Sequence, residues 1–230
     1  MPTRLVVDST SQLQELAEPD FSRNRPLRII ATIISYIFHP VFIPLYIVLF
    51  LLYIHPAVFA GFSSWQKTAF LFPAIGMYAF FPIITILLLK ALNFIDSVYL
   101  KTKKDRIIPY IACNLWYFWI WYVWKNLPDA PPKEMVILSM GIFLASVIGL
   151  MANIYMKISM HAIAMGVMVS FMTMLALTQS VSFGLYLSIT FLIAGIVCTA
   201  RFIVSDHTQK QIYAGLLAGF IGLLIAVWFN

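Results

Sequence analysis

"MVILSMGIFLASVIGLMANIYM", residues 135–156, runs for twenty-two positions without a charged side chain and without the strict alternation of a half-buried strand. A segment of that length crosses the hydrocarbon of a bilayer as a helix, because in lipid only helices and closed barrels satisfy every backbone amide. The unbroken apolar composition selects the helix. Similar runs lie on both sides and predict spans near 68–89, 107–124, 160–178, 182–200 and 212–229. Farther upstream, residues 29–66 are also uncharged, but "HPVFIP" and a second "HP" interrupt them. Proline breaks or kinks a helix, so this region reads as an interfacial or tilted piece near 29–38 and a span near 41–54. The expected fold is an all-α polytopic transmembrane bundle with six or seven spans, seven being preferred.

Composition agrees. Of 230 residues, 62% are hydrophobic and 10% charged, whereas a soluble domain carries about 25% charge. The bilayer is the expected partner, and no nucleic acid is expected. Residues 1–28 hold four Arg and four acidic residues without an early apolar core, which reads as a cytosolic arm with a short helix near "STSQLQELAE" (9–18) rather than a secretory signal. Residues 29–230 then form one transmembrane domain, with turns at "LPDAPPKE" (127–134) and "TQSVSFG" (178–184). Cys113 and Cys198 lie within apolar runs and read as packing residues, not as a disulfide or metal ligands. The aromatic run 115–124 reads as a lipid-facing belt, and His39 and His55, each before a proline, read as turn or interface residues.

If the chain crosses at each span, the arm and the segments 90–106, 157 and 201–210 share one side, with twelve Lys and Arg against three on the other. The positive-inside rule makes that side cytoplasmic. Discounting Lys101, Arg106, Lys157 and Arg201, which an anionic ligand would also explain, leaves eight against three.

Three polar segments meet on this side: "LKTKKDRIIPY" (100–110), "KISMHA" (157–162) and "ARFIVSDHTQKQIYAG" (200–215). They bring His161 and His207 together with several fixed cations. Ionisable groups at membrane depth are costly and point to function. Two imidazoles among cations suit phosphoryl transfer: the cations hold the equatorial oxygens, one imidazole attacks, and the other protonates the leaving oxygen.

The spacing resembles the signatures of the type 2 phosphatidic acid phosphatase superfamily. Arg201, five residues, His207, three residues and Gln211 follow its Ser-Arg-x5-His-x3-Asp signature; "ISMHA" is similar to Pro-Ser-Gly-His, with Ser159 and His161 in register; "KTKKDRIIP" is similar to Lys-x6-Arg-Pro at Lys101 and Pro109. The resemblance covers residues 100–215 and implies a membrane lipid phosphate or pyrophosphate phosphohydrolase, as in a bacterial inner membrane. In that reading His207 is the nucleophile that forms a phosphohistidine, and His161 is the general acid. Arg201 and Lys101 bind phosphate oxygens, Arg106 stands in for the missing Arg, Ser159 adds a hydrogen bond, and Gln211 orients His207. It implies no metal and no cofactor. The departures are Gln211 for the acid that orients the nucleophile, Ala200 for Ser, Ile158 and Met160 for Pro and Gly, and Ile108 for Arg. They motivate the alternative of a catalytically impaired lipid-phosphate-binding protein or membrane-complex subunit on the same fold.

Overall fold

The computed structural model describes residues 4–7, 13–16, 25–95, 97–98, 100, 103–179, 182–204 and 207–230. Strands β1 (Arg4–Val7) and β2 (Leu13–Leu16) pair antiparallel, Arg4 opposite Leu16 and Val7 opposite Leu13. The helix expected near 9–18 is therefore not formed over 13–16. A segment that short has little helical stability of its own, and the β-branched Val6 and Val7 offer it a strand partner instead.

Nine α-helices follow among the described residues: α1 (Arg25–Ile37), α2 (Ile43–Leu49), α3 (Ser64–Ile75), α4 (Phe81–Ala91), α5 (Lys103–Asn126), α6 (Lys133–Tyr155), α7 (Met160–Thr178), α8 (Gly184–Val204) and α9 (Gln209–Trp228). Helix α1 starts inside the stretch assigned to the arm, with Pro26 in its first turn, where its missing N–H costs nothing. A π-helical turn, Phe50–Ile54, extends α2, and another, Gly76–Phe80, joins α3 to α4. The second lies between Pro73 and Pro82, and its wider turn absorbs the ring and the missing donor of Pro82 without ending the helix.

Among the described residues, five helices are long and apolar enough to cross a membrane: Ser64–Ala91, α6, α7, α8 and α9. Helix α5 has 24 residues, but the indoles and phenols of its aromatic run lower its hydropathy. The continuous helix Ile43–Ile54 is apolar but short.

Helix α9 is the keystone of the bundle, packed against both α6 and α7, while α5 covers α6, α8 covers α7, and α1 lies on α8. Small residues permit this approach. A Cβ at Gly219 would meet the Ile163 carbonyl and the Val167 amide, and one at Gly215 would lie 2.8 Å from the Ser159 carbonyl. The outer surfaces of the bundle expose Leu87, Leu115, Trp119, Leu192 and Leu224, the pattern of helices facing lipid. Cys113 and Cys198 are unpaired and partly buried.

The connections that follow α1, precede α5, join α6 to α7 and join α8 to α9 gather around one cavity, described next. Two bonds tie them together. Arg106 Nη1 donates to the Ile158 carbonyl at 2.7 Å, and the Ser159 amide donates to the Gln211 carbonyl at 3.4 Å.

Candidate active site

Between α1, α2, α5, α6, α7 and the end of α8 lies a cavity of about 640 Å³. Its wall contains Arg106, Lys157 and Arg201, together with His39, His161 and His207, and no carboxylate among the described lining residues. The rest is largely apolar, including Ile43, Ile47, Ile86, Ile142 and Val167. Five of these six polar residues come from the polar segments noted in the sequence. His39 does not.

His207 occupies the connection between α8 and α9 and is buried. Its Nδ1 lies 2.9 Å from Gln211 Oε1. Gln211 is also the third residue of α9 and closes a capping box with Thr208: the Gln211 amide donates to Thr208 Oγ1 at 3.4 Å, and the Thr208 amide donates to Gln211 Oε1 at 3.3 Å. This cap decides a proton. A backbone N–H can only donate, so the side-chain atom facing Thr208 is the amide oxygen, and that same oxygen faces His207. Nδ1 of His207 must then carry the hydrogen, which leaves the lone pair on Nε2. Burial holds the pKa of His207 below its ordinary value, with Arg106, Arg201 and Lys157 adding like-charge repulsion and the Gln211 bond opposing them. Burial and repulsion both favour the neutral imidazole over the imidazolium.

His161 opens α7 and reaches across to α1. Its Nε2 lies 3.0 Å from the Ser35 carbonyl. That carbonyl belongs to the last turn of α1, where no later amide continues the helix: the His39 amide bonds Tyr36 instead, and Pro40 has none to give. A carbonyl only accepts, so Nε2 of His161 is the donor and Nδ1 is the free ring position.

Arg106 is buried, and its fork is half used by the backbone, Nε on the Leu100 carbonyl at 2.8 Å and Nη1 on that of Ile158. Leu100 has a positive φ of 48°, which turns the chain before α5. Arg201 sits in the last turn of α8, one residue beyond the predicted span end, and lines the same cavity. Met160 also lines it. Ser159 is fully buried outside the lining, its Oγ accepting from the Ala162 amide at 3.4 Å as the cap of α7. Lys101 and Asp206 lie outside the described residues.

Sequence reading assigned His39 to a turn, and it does sit in one, between α1 and α2. It is also in the cavity wall, its ring 5.5 Å edge-to-face from that of His161. The available signal was topological: a span near 41–54 puts residue 39 on the same side of the membrane as the three polar segments. Lys157 was singled out for its charge and is in the wall as well. Among the described residues, no group of three or more His, Cys, Asp or Glu is arranged to hold a metal ion. Chemically, cations beside apolar side chains can hold an anion that carries an apolar substituent, and Nε2 of His207 presents a lone pair to the same space.

Compared with models of protein families, with characterised proteins and with solved structures, the chain matches none of them.

Proposed function

We propose that the cavity binds the phosphate or pyrophosphate group of a membrane lipid and hydrolyses it through a phosphohistidine at His207, as a divergent type 2 phosphatidic acid phosphatase. The observation that carries this reading is the makeup of the wall: three cations, three imidazoles and no described carboxylate at one end, and aliphatic side chains for a lipid chain elsewhere. In the first step Nε2 of His207 attacks phosphorus. The P–O bond to the lipid breaks, and the leaving oxygen takes the proton that the phosphate monoanion brings into the site, relayed through the free Nδ1 of His161 while its Nε2–H stays on the Ser35 carbonyl. Water then attacks the phosphohistidine, the N–P bond breaks, the proton of the water passes through Nδ1 of His161 to the phosphate, and inorganic phosphate leaves. Arg106, Arg201 and Lys157 neutralise the phosphoryl oxygens throughout. The test is phosphate release from a panel of lipid phosphates and pyrophosphates by purified protein, compared with His207→Ala. Turnover abolished in the variant is expected; turnover retained would remove His207 from the mechanism.

Gln211 favours a second reading on the same fold, a lipid-phosphate-binding protein or complex subunit without turnover. A neutral amide orients the imidazole but does not stabilise the positive charge that grows on it during attack. Tight binding of a lipid phosphate with no release across the panel would establish this reading.

For the membrane topology we infer seven crossings, adding α5 and Ile43–Ile54 to the five long helices. The latter leads from His39 in the cavity to His55, where the charge of Glu134, at the opposite end of α6 from the site, is felt. The bias of basic residues then sets the site toward the cytoplasm of a bacterial inner membrane.

A further inference from the structure

We propose that His39 is a further ligand-binding residue, an uncharged donor that presents its Nε2–H to the phosphoryl oxygens of the bound anion. The inference rests on the anion-site reading above and adds to it a residue outside the three polar segments. Three observations carry it. First, His39 lines the cavity, its ring against that of His161. Second, its tautomer is determined by the turn it occupies. The Val41 amide donates to His39 Nδ1 at 3.4 Å. Because an amide cannot accept, that nitrogen holds the lone pair and the proton resides on Nε2. Third, among the described residues Nε2–H has no protein acceptor, whereas His161 and His207 each have one ring nitrogen committed to the protein.

The chemistry explains why an uncharged donor suits this position. The wall already holds two guanidiniums and an ammonium, so a further cation would add repulsion to the empty site, whereas an imidazole N–H adds a hydrogen bond without adding charge. Burial and the nearby Arg201 keep His39 neutral, with a pKa of about 4. Pro40 and Phe42 flank the ring, Phe42 edge-on at 6.2 Å, and hold it in the turn. The turn between α1 and α2 thereby adds a fourth segment to the three polar segments that line the cavity.

His39→Asn is the discriminating variant. Its Oδ1 still accepts the Val41 amide, so the turn keeps its bond, but the shorter side chain leaves no donor where Nε2 was. Inorganic phosphate and dodecyl phosphate are the probes, titrated into the full chain in detergent. The structure assigns His39 to the phosphoryl group the two probes share, so both should bind about tenfold or more weakly in His39→Asn, the effect of one hydrogen bond to a charged group. A wild-type preference for dodecyl phosphate identifies a lipid headgroup as the ligand, and equal affinity identifies free phosphate; the loss in His39→Asn supports the proposal in either case. The titratable groups that share the cavity are His161, His207, Arg106, Arg201, Lys157, Tyr36, Tyr110, Cys113 and Tyr117. All remain in the variant, so the wild-type to variant ratio should be constant from pH 6 to 8; a ratio that collapses with rising pH would show a charged His39 and overturn the assignment. Wild-type affinity of a folded His39→Asn for both probes would also overturn it while leaving the phosphatase reading intact. Failure of the wild-type protein to bind either probe would overturn both.

Discussion

Gln211 Oε1 accepts from two donors at once, Nδ1 of His207 at 2.9 Å and the backbone amide of Thr208 at 3.3 Å. One side chain therefore starts α9 and fixes the tautomer of the imidazole beside it. Cap and site can be separated by substitution. Thr208→Ala removes the Oγ1 half of the cap, costing about 1 kcal/mol of stability, and leaves the bond to His207. Gln211→Leu removes the Oε1 half of the cap, which accepts from the Thr208 amide, together with the bond to His207, so Nδ1 is no longer held. The proposed phosphatase mechanism predicts that phosphate release falls on the order of a hundredfold in Gln211→Leu and less than about threefold in Thr208→Ala, measured at equal folded fraction.

Gln211→Glu places a carboxylate where the neutral oxygen now lies and supplies the charge that the sequence lacks. It should raise turnover at least tenfold. A parallel measurement is the acid limb of the pH–rate profile. In the wild type, burial and three nearby cations depress the pKa of His207, so Nε2 stays unprotonated at pH 7 and the limb lies below about 6.5. The carboxylate favours the imidazolium and moves the limb to higher pH. A limb that does not move would show that His207 is not the titrating nucleophile.

Stability should depend on pH in a definite direction. His39 has a folded pKa of about 4 and an unfolded value of about 6.5, so between these values the unfolded chain binds more protons. The contribution is complete above pH 6.5 and is lost as pH falls toward 4. Thermal unfolding in detergent should show Tm dropping across that window, and dropping less in His39→Asn, which has no ring to protonate.

Arg106 donates to two backbone carbonyls from different segments, and a lysine ammonium does not reproduce that planar fork. Arg106→Lys should leave at least one buried carbonyl unsatisfied, costing about 1–3 kcal/mol, and weaken phosphate binding together with Tm. Retention of both would show that charge alone matters there.

Gly219 tests the keystone. A Cβ there collides with the backbone of α7, so Gly219→Val should displace α9, cost about 1–3 kcal/mol and reduce turnover with it, because His207 and Gln211 travel with the start of α9. Circular dichroism melts and phosphate release on the same preparation check this.

Lys210 is exposed beside the site. With Cys113 and Cys198 replaced by Ala, Lys210→Cys should not react with a membrane-impermeant thiol reagent applied to intact cells, as the charge bias requires. Labelling from outside would place the site on the opposite face.

Much of this was legible in the chain before folding. Uncharged length specified α6 through α9, because a bilayer leaves a long apolar segment no other solution. Charge at the span ends pointed to the side on which the cavity lies, and Arg201 and His207 both reach its wall, since their spacing is local to one helix end and the next helix start. The Thr208-x-x-Gln211 cap is written in four consecutive residues. The sequence could not show the outcome at sites set by distant partners. Ser159 was assigned a ligand role on register, but its hydroxyl caps α7. His39 reads locally as a turn residue, and only the packing of α1 on α8 and of α2 on α7 brings it to His161, 122 positions later in the chain. Local periodicity and solvent preference act within a few residues and are readable from sequence. Which nitrogen of His207, His161 or His39 carries a proton is decided by a single donor or acceptor whose position only the tertiary structure determines.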